Sequence, residues 1–138
     1  MFIVLLLLPW RAAPWLLVAA GGLLFACGTI VLIAAARRLG TALTPTPVPI
    51  HGAGLRTGGL YARVRHPIYS GVLLATLGYL IALGSAWSWA WGALILVFFV
   101  VKSRWEDRLL HEEYGEVWQE WASATGGLVP RLLQRRAS

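Results

Sequence analysis

The sequence predicts an all-α integral membrane helical bundle with about three full spans, a short N-terminal apolar helix and a C-terminal amphipathic helix on the cytoplasmic side. Three observations predict it. The 138 residues are 58% hydrophobic and only 13% charged, a charged share about half the ~25% usual in soluble domains. The Lys and Arg residues flank the apolar runs, the distribution expected of loops that stay in the cytoplasm. Prolines interrupt the chain between the first runs. The length fits a single domain over residues 1–138. So small a core cannot hide this much apolar surface, which leaves lipid to cover it.

Phe2 to Trp10 is apolar but short of the ~20 helical residues that cross a hydrocarbon core. It lacks a basic start and a cleavage site, which argues against a secretory signal. Pro9, Arg11 and Pro14 separate it from Trp15 to Ala36, a run of spanning length that Arg37-Arg38 close on the cytoplasmic side. Gly22 and Ala26 have the spacing of a close helix contact. Residues 39–61 are a loop. Pro45, Pro47 and Pro49 forbid a regular helix there, and Gly52, Gly54, Gly58 and Gly59 allow tight turns.

Pro67 to Val101 is apolar throughout and too long for one span. Gly84-Ser85 is its natural break, giving a hairpin of Ile68–Leu83 and Trp87–Val101. Gly71 with Ala75, and Gly78 with Ala82, offer further close contacts. Trp87, Trp89 and Trp91 have the placement of an interfacial aromatic belt. Ser103 to Trp121 is read as the amphipathic helix, with Leu110, Tyr114, Val117, Trp118 and Trp121 along one stripe. Asp107 falls on that stripe and Glu106 at its edge, and a carboxylate on an apolar face needs a partner. Arg104 and Arg108 are the neighbours able to supply one. The basic tail, with Arg135 and Arg136, suits anionic headgroups.

The net charge of +6 does not argue for nucleic acid, because the cations flank apolar runs. Cys27 is the only cysteine, which excludes an internal disulfide and a multi-cysteine metal site. His51, His66 and His111 show no metal-ligand spacing.

The chemistry-bearing residues gather at the two ends of the hairpin. On one side stand Tyr61, Arg63, Arg65, His66 and Tyr69; on the other stand Lys102, Arg104, Glu106, Asp107, Tyr114, Trp118 and Trp121. His66 precedes Pro67, and proline is tolerated at a helix's first turn, so His66 is placed to cap the helix. All six acidic residues lie between Glu106 and Glu120, so any carboxylate for a cationic ligand comes from that segment. Cations, anions and aromatic rings beside lipid suit a zwitterionic or cationic ligand. S-adenosylmethionine is one such molecule, its sulfonium suited to aromatic faces. Methyl transfer to a good acceptor needs mainly positioning.

These residues resemble the isoprenylcysteine carboxyl methyltransferase family and its phospholipid methyltransferase relatives. The resemblance runs from Leu39 to Arg131. It is carried by Leu39-Gly40, Gly59-Leu60-Tyr61 and the stretch from Val64 to Gly71, then by Glu106-Asp107, Leu110, Tyr114-Gly115, Trp118 and Trp121, and finally by Pro130-Arg131. It implies an integral membrane enzyme that takes S-adenosylmethionine at the cytoplasmic face of a bacterial inner membrane. It also implies a lipophilic acceptor, either a small molecule or a lipidated group, carrying a carboxylate, thiol or amine. By that resemblance Tyr61, His66, Tyr69, Glu106 and Asp107 hold the cofactor, and Arg65, Lys102 or Arg104 orients a carboxylate of cofactor or acceptor. Membrane lipid is the expected surrounding partner, and glycine-rich helix faces allow a homodimer. Asp107 stands where the family has a second Glu, Tyr114 where it has Phe, and Trp118 and Trp121 where it has Tyr; these departures leave the fold expectation intact and bear on the acceptor and on the details of the cofactor contacts. Membrane sterol reductases using NADPH share the Arg-His-Pro-x-Tyr and Tyr-Gly-x-x-Trp elements, and they remain the alternative beside a non-catalytic scaffold.

Overall fold

A computed structural model of the chain describes residues 15–40 and 54–131. Among these residues the structure is all-α: α1 (Trp15–Leu39), α2 (Pro67–Leu83), α3 (Ala86–Tyr114) and α4 (Glu116–Ala124), with a 3-10 turn at Gly59–Ala62. The expected N-terminal helix, the Pro45–Pro49 connector, His51, Gly52, Arg135 and Arg136 lie outside the described residues.

Helices α1 and α3 are long and apolar enough to cross a membrane, at 25 and 29 residues, while α2 is apolar over 17. At 1.5 Å per residue α2 reaches about 25 Å. Apolar side chains cover the outside of the molecule: Leu23, Ile30, Leu94, Val97 and Phe98 are each more than half exposed. In water that surface would be untenable, and in lipid it is the ordinary exterior.

Helices α1 and α2 run antiparallel and meet backbone to backbone. A Cβ on Gly21 would stand 2.5 Å from the Gly78 carbonyl oxygen, and one on Gly28 would stand 2.6 Å from that of Gly71. Ala82 and Ala75 complete the two crossings. The expected pairs Gly71 with Ala75 and Gly78 with Ala82 are therefore the α2 half of this seam. The α1 half is Gly21 and Gly28, not Gly22 and Ala26: Gly22 faces open space and both expected residues are exposed. Small residues let the axes approach where lipid offers no hydrophobic drive for association.

The α2–α3 hairpin turns at Gly84-Ser85, as the composition suggests. Ser85 caps α3 by accepting a hydrogen bond from the Ser88 amide at 3.2 Å. Leu80 sits against Gly92. Trp87 and Trp91 are exposed at this end and meet edge to face.

Helix α3 does not stop at Val101. It continues through Ser103 to Tyr114 as one helix, because no Pro or Gly lies in that stretch. The break comes at Gly115, whose φ of +57° is a backbone state that glycine adopts without steric cost. The expected amphipathic helix from Ser103 to Trp121 is thus divided between the end of α3 and the separate α4, and Val117 on the expected stripe is 63% exposed.

Candidate functional site

The polar end of the molecule is built where α2 begins. Val64 forms a parallel bridge with Gly126. The Arg65 amide donates to the Gly126 carbonyl at 2.8 Å, His66 donates to Gly127 at 3.1 Å, and Gly126 returns a bond to Arg63 at 3.1 Å. The Ser70 hydroxyl donates to Leu128 at 2.6 Å. This clamp ties the segment after α4 to the start of α2. Its sequence signal was Gly126-Gly127, where a second backbone can approach closely.

Pro67 occupies the first turn of α2, and His66 is the capping residue by backbone position, but its ring makes no capping bond. The ring points to α3 instead. Nε2 lies 2.8 Å from Asp107 Oδ1 and Nδ1 lies 3.3 Å from Glu106 Oε2. His66 is only 6% exposed, so these two carboxylates dominate its surroundings. Burial alone would lower its pKa. The hydrogen bonds to Asp107 and Glu106 overcome this and raise it above the usual imidazole value.

Asp107 is shared. Arg65 donates to it from Nε at 3.2 Å and from Nη2 at 3.1 Å. The remaining Arg65 nitrogen, Nη1, donates to the Ala122 and Thr125 carbonyls at 3.1 and 3.0 Å, at the C-terminal end of α4. A guanidinium there satisfies carbonyls that the helix leaves unpaired and complements its dipole. Asp107 therefore finds its partners in Arg65 and His66, forty-odd residues upstream, rather than in Arg104 or Arg108.

Tyr69, one turn into α2, donates its hydroxyl to Glu106 Oε1 at 2.5 Å. Its ring stacks on His66 at 5.6 Å and tilts against Phe99 at 4.7 Å. The Lys102 ammonium lies 5.1 Å from the centroid of the same ring. Tyr61 is buried in the turn before the cluster. Burial, and then the charge of Glu106, push its phenol up to about 12. Trp121 donates its indole N–H to the Tyr61 carbonyl at 2.7 Å. Trp118 lies under the Arg65 guanidinium, 5.8 Å from it, and its N–H is buried without a hydrogen-bond partner among the described residues.

The structure thus brings together Arg65, His66, Tyr69, Glu106 and Asp107, with Tyr61 and Lys102 at the edge. Arg104 is exposed. The described residues contain no group of His, Cys, Asp and Glu able to hold a metal ion.

A helical membrane protein with a buried charged cluster at one mouth of its hairpin is the class that fold and site define. The family model for phospholipid methyltransferases matches residues 16–117, and the chain belongs to that family of membrane methyltransferases. Among curated proteins it is similar to methanethiol S-methyltransferase 2 of Bradyrhizobium diazoefficiens, 35% identical over 95 residues, which is 63% of this chain. The chain spans about a third of that relative's length (33%). No solved structure matches it significantly.

Proposed function

We propose that the chain binds S-adenosylmethionine at the Arg65–His66–Tyr69–Glu106–Asp107 cluster and transfers its methyl group to a small lipophilic acceptor, with a thiol the first choice. The single observation that carries this reading is that His66 lies within 2.8 and 3.3 Å of both α3 carboxylates. That puts buried anions, a cation and aromatic rings in one place. The donor set fits the cofactor: Glu106 and Asp107 suit its ammonium and hydroxyl groups, the Tyr69 and Tyr61 rings suit a sulfonium, and the Trp118 N–H is a donor left over for an acceptor atom. When bound, the cofactor supplies the electrophilic methyl. The chain supplies position and a water-poor setting.

Arg65 is a positioning residue in this reading. Its guanidinium joins Asp107 to the α4 carbonyls. The thiol rests on the name of the partial relative. Helices α1, α2 and α3 all cross the bilayer, α2 with the help of its capping segments. The arginines at the cluster end face the cytoplasm of a bacterial inner membrane by the charge rule. The acceptor enters from lipid.

Thermal shift and calorimetry in detergent test the reading. S-adenosylhomocysteine stabilises the protein and NADPH does not. His66→Ala and Glu106→Ala each weaken S-adenosylhomocysteine binding at least about tenfold, the loss of roughly one charge-assisted hydrogen bond. Unchanged affinity in both variants overturns the assignment. Transfer of labelled methyl to thiols, set against carboxylic acids and amines, decides the acceptor.

A further inference from the structure

We propose that His66 and Glu106 hold one shared proton that a net-cationic methyl donor displaces on binding, so that donor affinity depends on pH through this pair. The inference rests on the cofactor reading above and goes beyond it. A neutral imidazole has one N–H and one bare nitrogen, whereas an imidazolium donates from both. In the structure both ring nitrogens of His66 face carboxylate oxygens: Nε2 faces Asp107 and Nδ1 faces Glu106. Asp107 also takes the Arg65 fork, which keeps it ionised and fixes the Nε2 proton in place. The contact between Nδ1 and Glu106 is attractive only with a second proton on one of the two groups. Glu106 Oε1 already accepts the Tyr69 hydroxyl, so Oε2 is the atom that meets this proton.

The remaining neighbours of His66 do not supply it. Arg65 and Lys102 are cations, Lys102 lying above the Tyr69 ring. Tyr61 is a phenol raised by burial and by Glu106. The segment after α4 meets His66 through the Gly127 carbonyl. His111 lies farther off against Trp118.

With the shared proton present, the formal charges of Arg65, His66, Lys102, Glu106 and Asp107 sum to plus one. Without it they cancel. S-adenosylmethionine carries an ammonium, a sulfonium and a carboxylate, net plus one; S-adenosylhomocysteine lacks the sulfonium charge and is net neutral. Losing the proton lowers the charge of the cluster by one, and the donor carries one more positive charge than the demethylated product, so the deprotonated cluster favours the donor over the product more than the protonated cluster does. The pair favours the donor as pH rises and loses that preference as pH falls.

The test is isothermal titration of the full chain in detergent at pH values from about 6 to 8, the range over which imidazoles titrate. Each titration is run in two buffers of different ionisation enthalpy. Near the low end, S-adenosylmethionine binding releases close to one proton and tightens about tenfold per pH unit, while S-adenosylhomocysteine releases far less. Glu106→Gln removes the carboxylate that retains the proton, so its donor affinity is weaker and flat with pH, as is that of His66→Gln. Donor binding without proton release in the unaltered chain, or equal release with both ligands, overturns the proposal and leaves the cofactor reading standing. No binding of either ligand overturns both. The titrations on the unaltered chain decide the matter even if a variant does not fold.

Discussion

The body of α2 and the segment that leads into it are held by opposite means. Along its length α2 meets α1 through the absence of side chains, with Gly21 and Gly28 letting two backbones touch. At its N-terminus it meets α3 and α4 through the longest and most polar side chains available: Arg65 reaches Asp107 and two α4 carbonyls, and His66 spans Asp107 and Glu106. The first seam depends on shape and is indifferent to charge and pH. The second depends on complete pairing of charges and is sensitive to both. A membrane protein can thus keep a rigid apolar frame and place a titratable cluster at its mouth, with neither compromising the other.

Breaking the polar seam has the largest expected effect. Arg65→Ala leaves Asp107 part-buried beside a histidine and strips two carbonyls at the end of α4. Removing one partner of a buried ion pair costs about 3–5 kcal/mol, so thermal unfolding in detergent shifts sharply down and α4 becomes protease-sensitive. Arg65→Lys restores charge but not the fork, and it recovers only part of the loss. Breaking the apolar seam comes next. Gly28→Val drives a branched side chain into the Gly71 carbonyl and the Ala75 backbone, an overpacking cost of roughly 1–3 kcal/mol. Its stability loss is the same at every pH, which distinguishes it from the first variant.

These contrasts also show what could be read from residue order. The start of α2 was legible because Pro67 fits only a first turn and His66 stands before it. The closeness of His66 and Tyr69 to Glu106 and Asp107 was legible because a hairpin returns its two ends to one membrane face. The length of α3 was not. The change from apolar to charged residues after Val101 does not end the backbone hydrogen bonding, and the helix runs on to Gly115. Nor was the choice between Gly21 and Gly22: neighbouring glycines in one helix differ by which faces a partner, and that depends on α2. The partner of Asp107 was hidden for a similar reason. Arg104 and Arg108 lie close in the chain, while Arg65 is 42 positions away and meets it only after the helices pack.

A smaller effect separates the two seams by pH. The pKa of His66 is raised in the folded chain by Asp107 and Glu106 against the opposing pull of burial. Its contribution is therefore fully present below the unfolded imidazole value of about 6.5 and is lost as pH rises through the higher folded value. The unfolding temperature of the ligand-free chain should fall across that window. His66→Gln should flatten the fall, and Gly28→Val should keep its slope. A slope unchanged in His66→Gln would mean that the two carboxylates do not hold the imidazole in its protonated form.

The smallest effect tests the apolar seam at its most discriminating point. Gly21 and Gly22 are adjacent, equal in composition and in the same helix, yet a Cβ on Gly21 meets Gly78 and Ala82 while one on Gly22 meets nothing within 4 Å. Gly22→Ala should be neutral or should stabilise slightly, since alanine in a helix interior is favoured over glycine by about 0.5–1 kcal/mol. Gly21→Ala gains the same propensity but must push the two backbones apart, so its net effect is destabilising. The sign of the difference between the two alanine variants, read by thermal unfolding in one detergent, checks the register of α1 on α2. A reversed sign would rotate α1 by one residue and turn Gly28 away from Gly71. The seam would then have to rest on Gly22 and Ala26 after all.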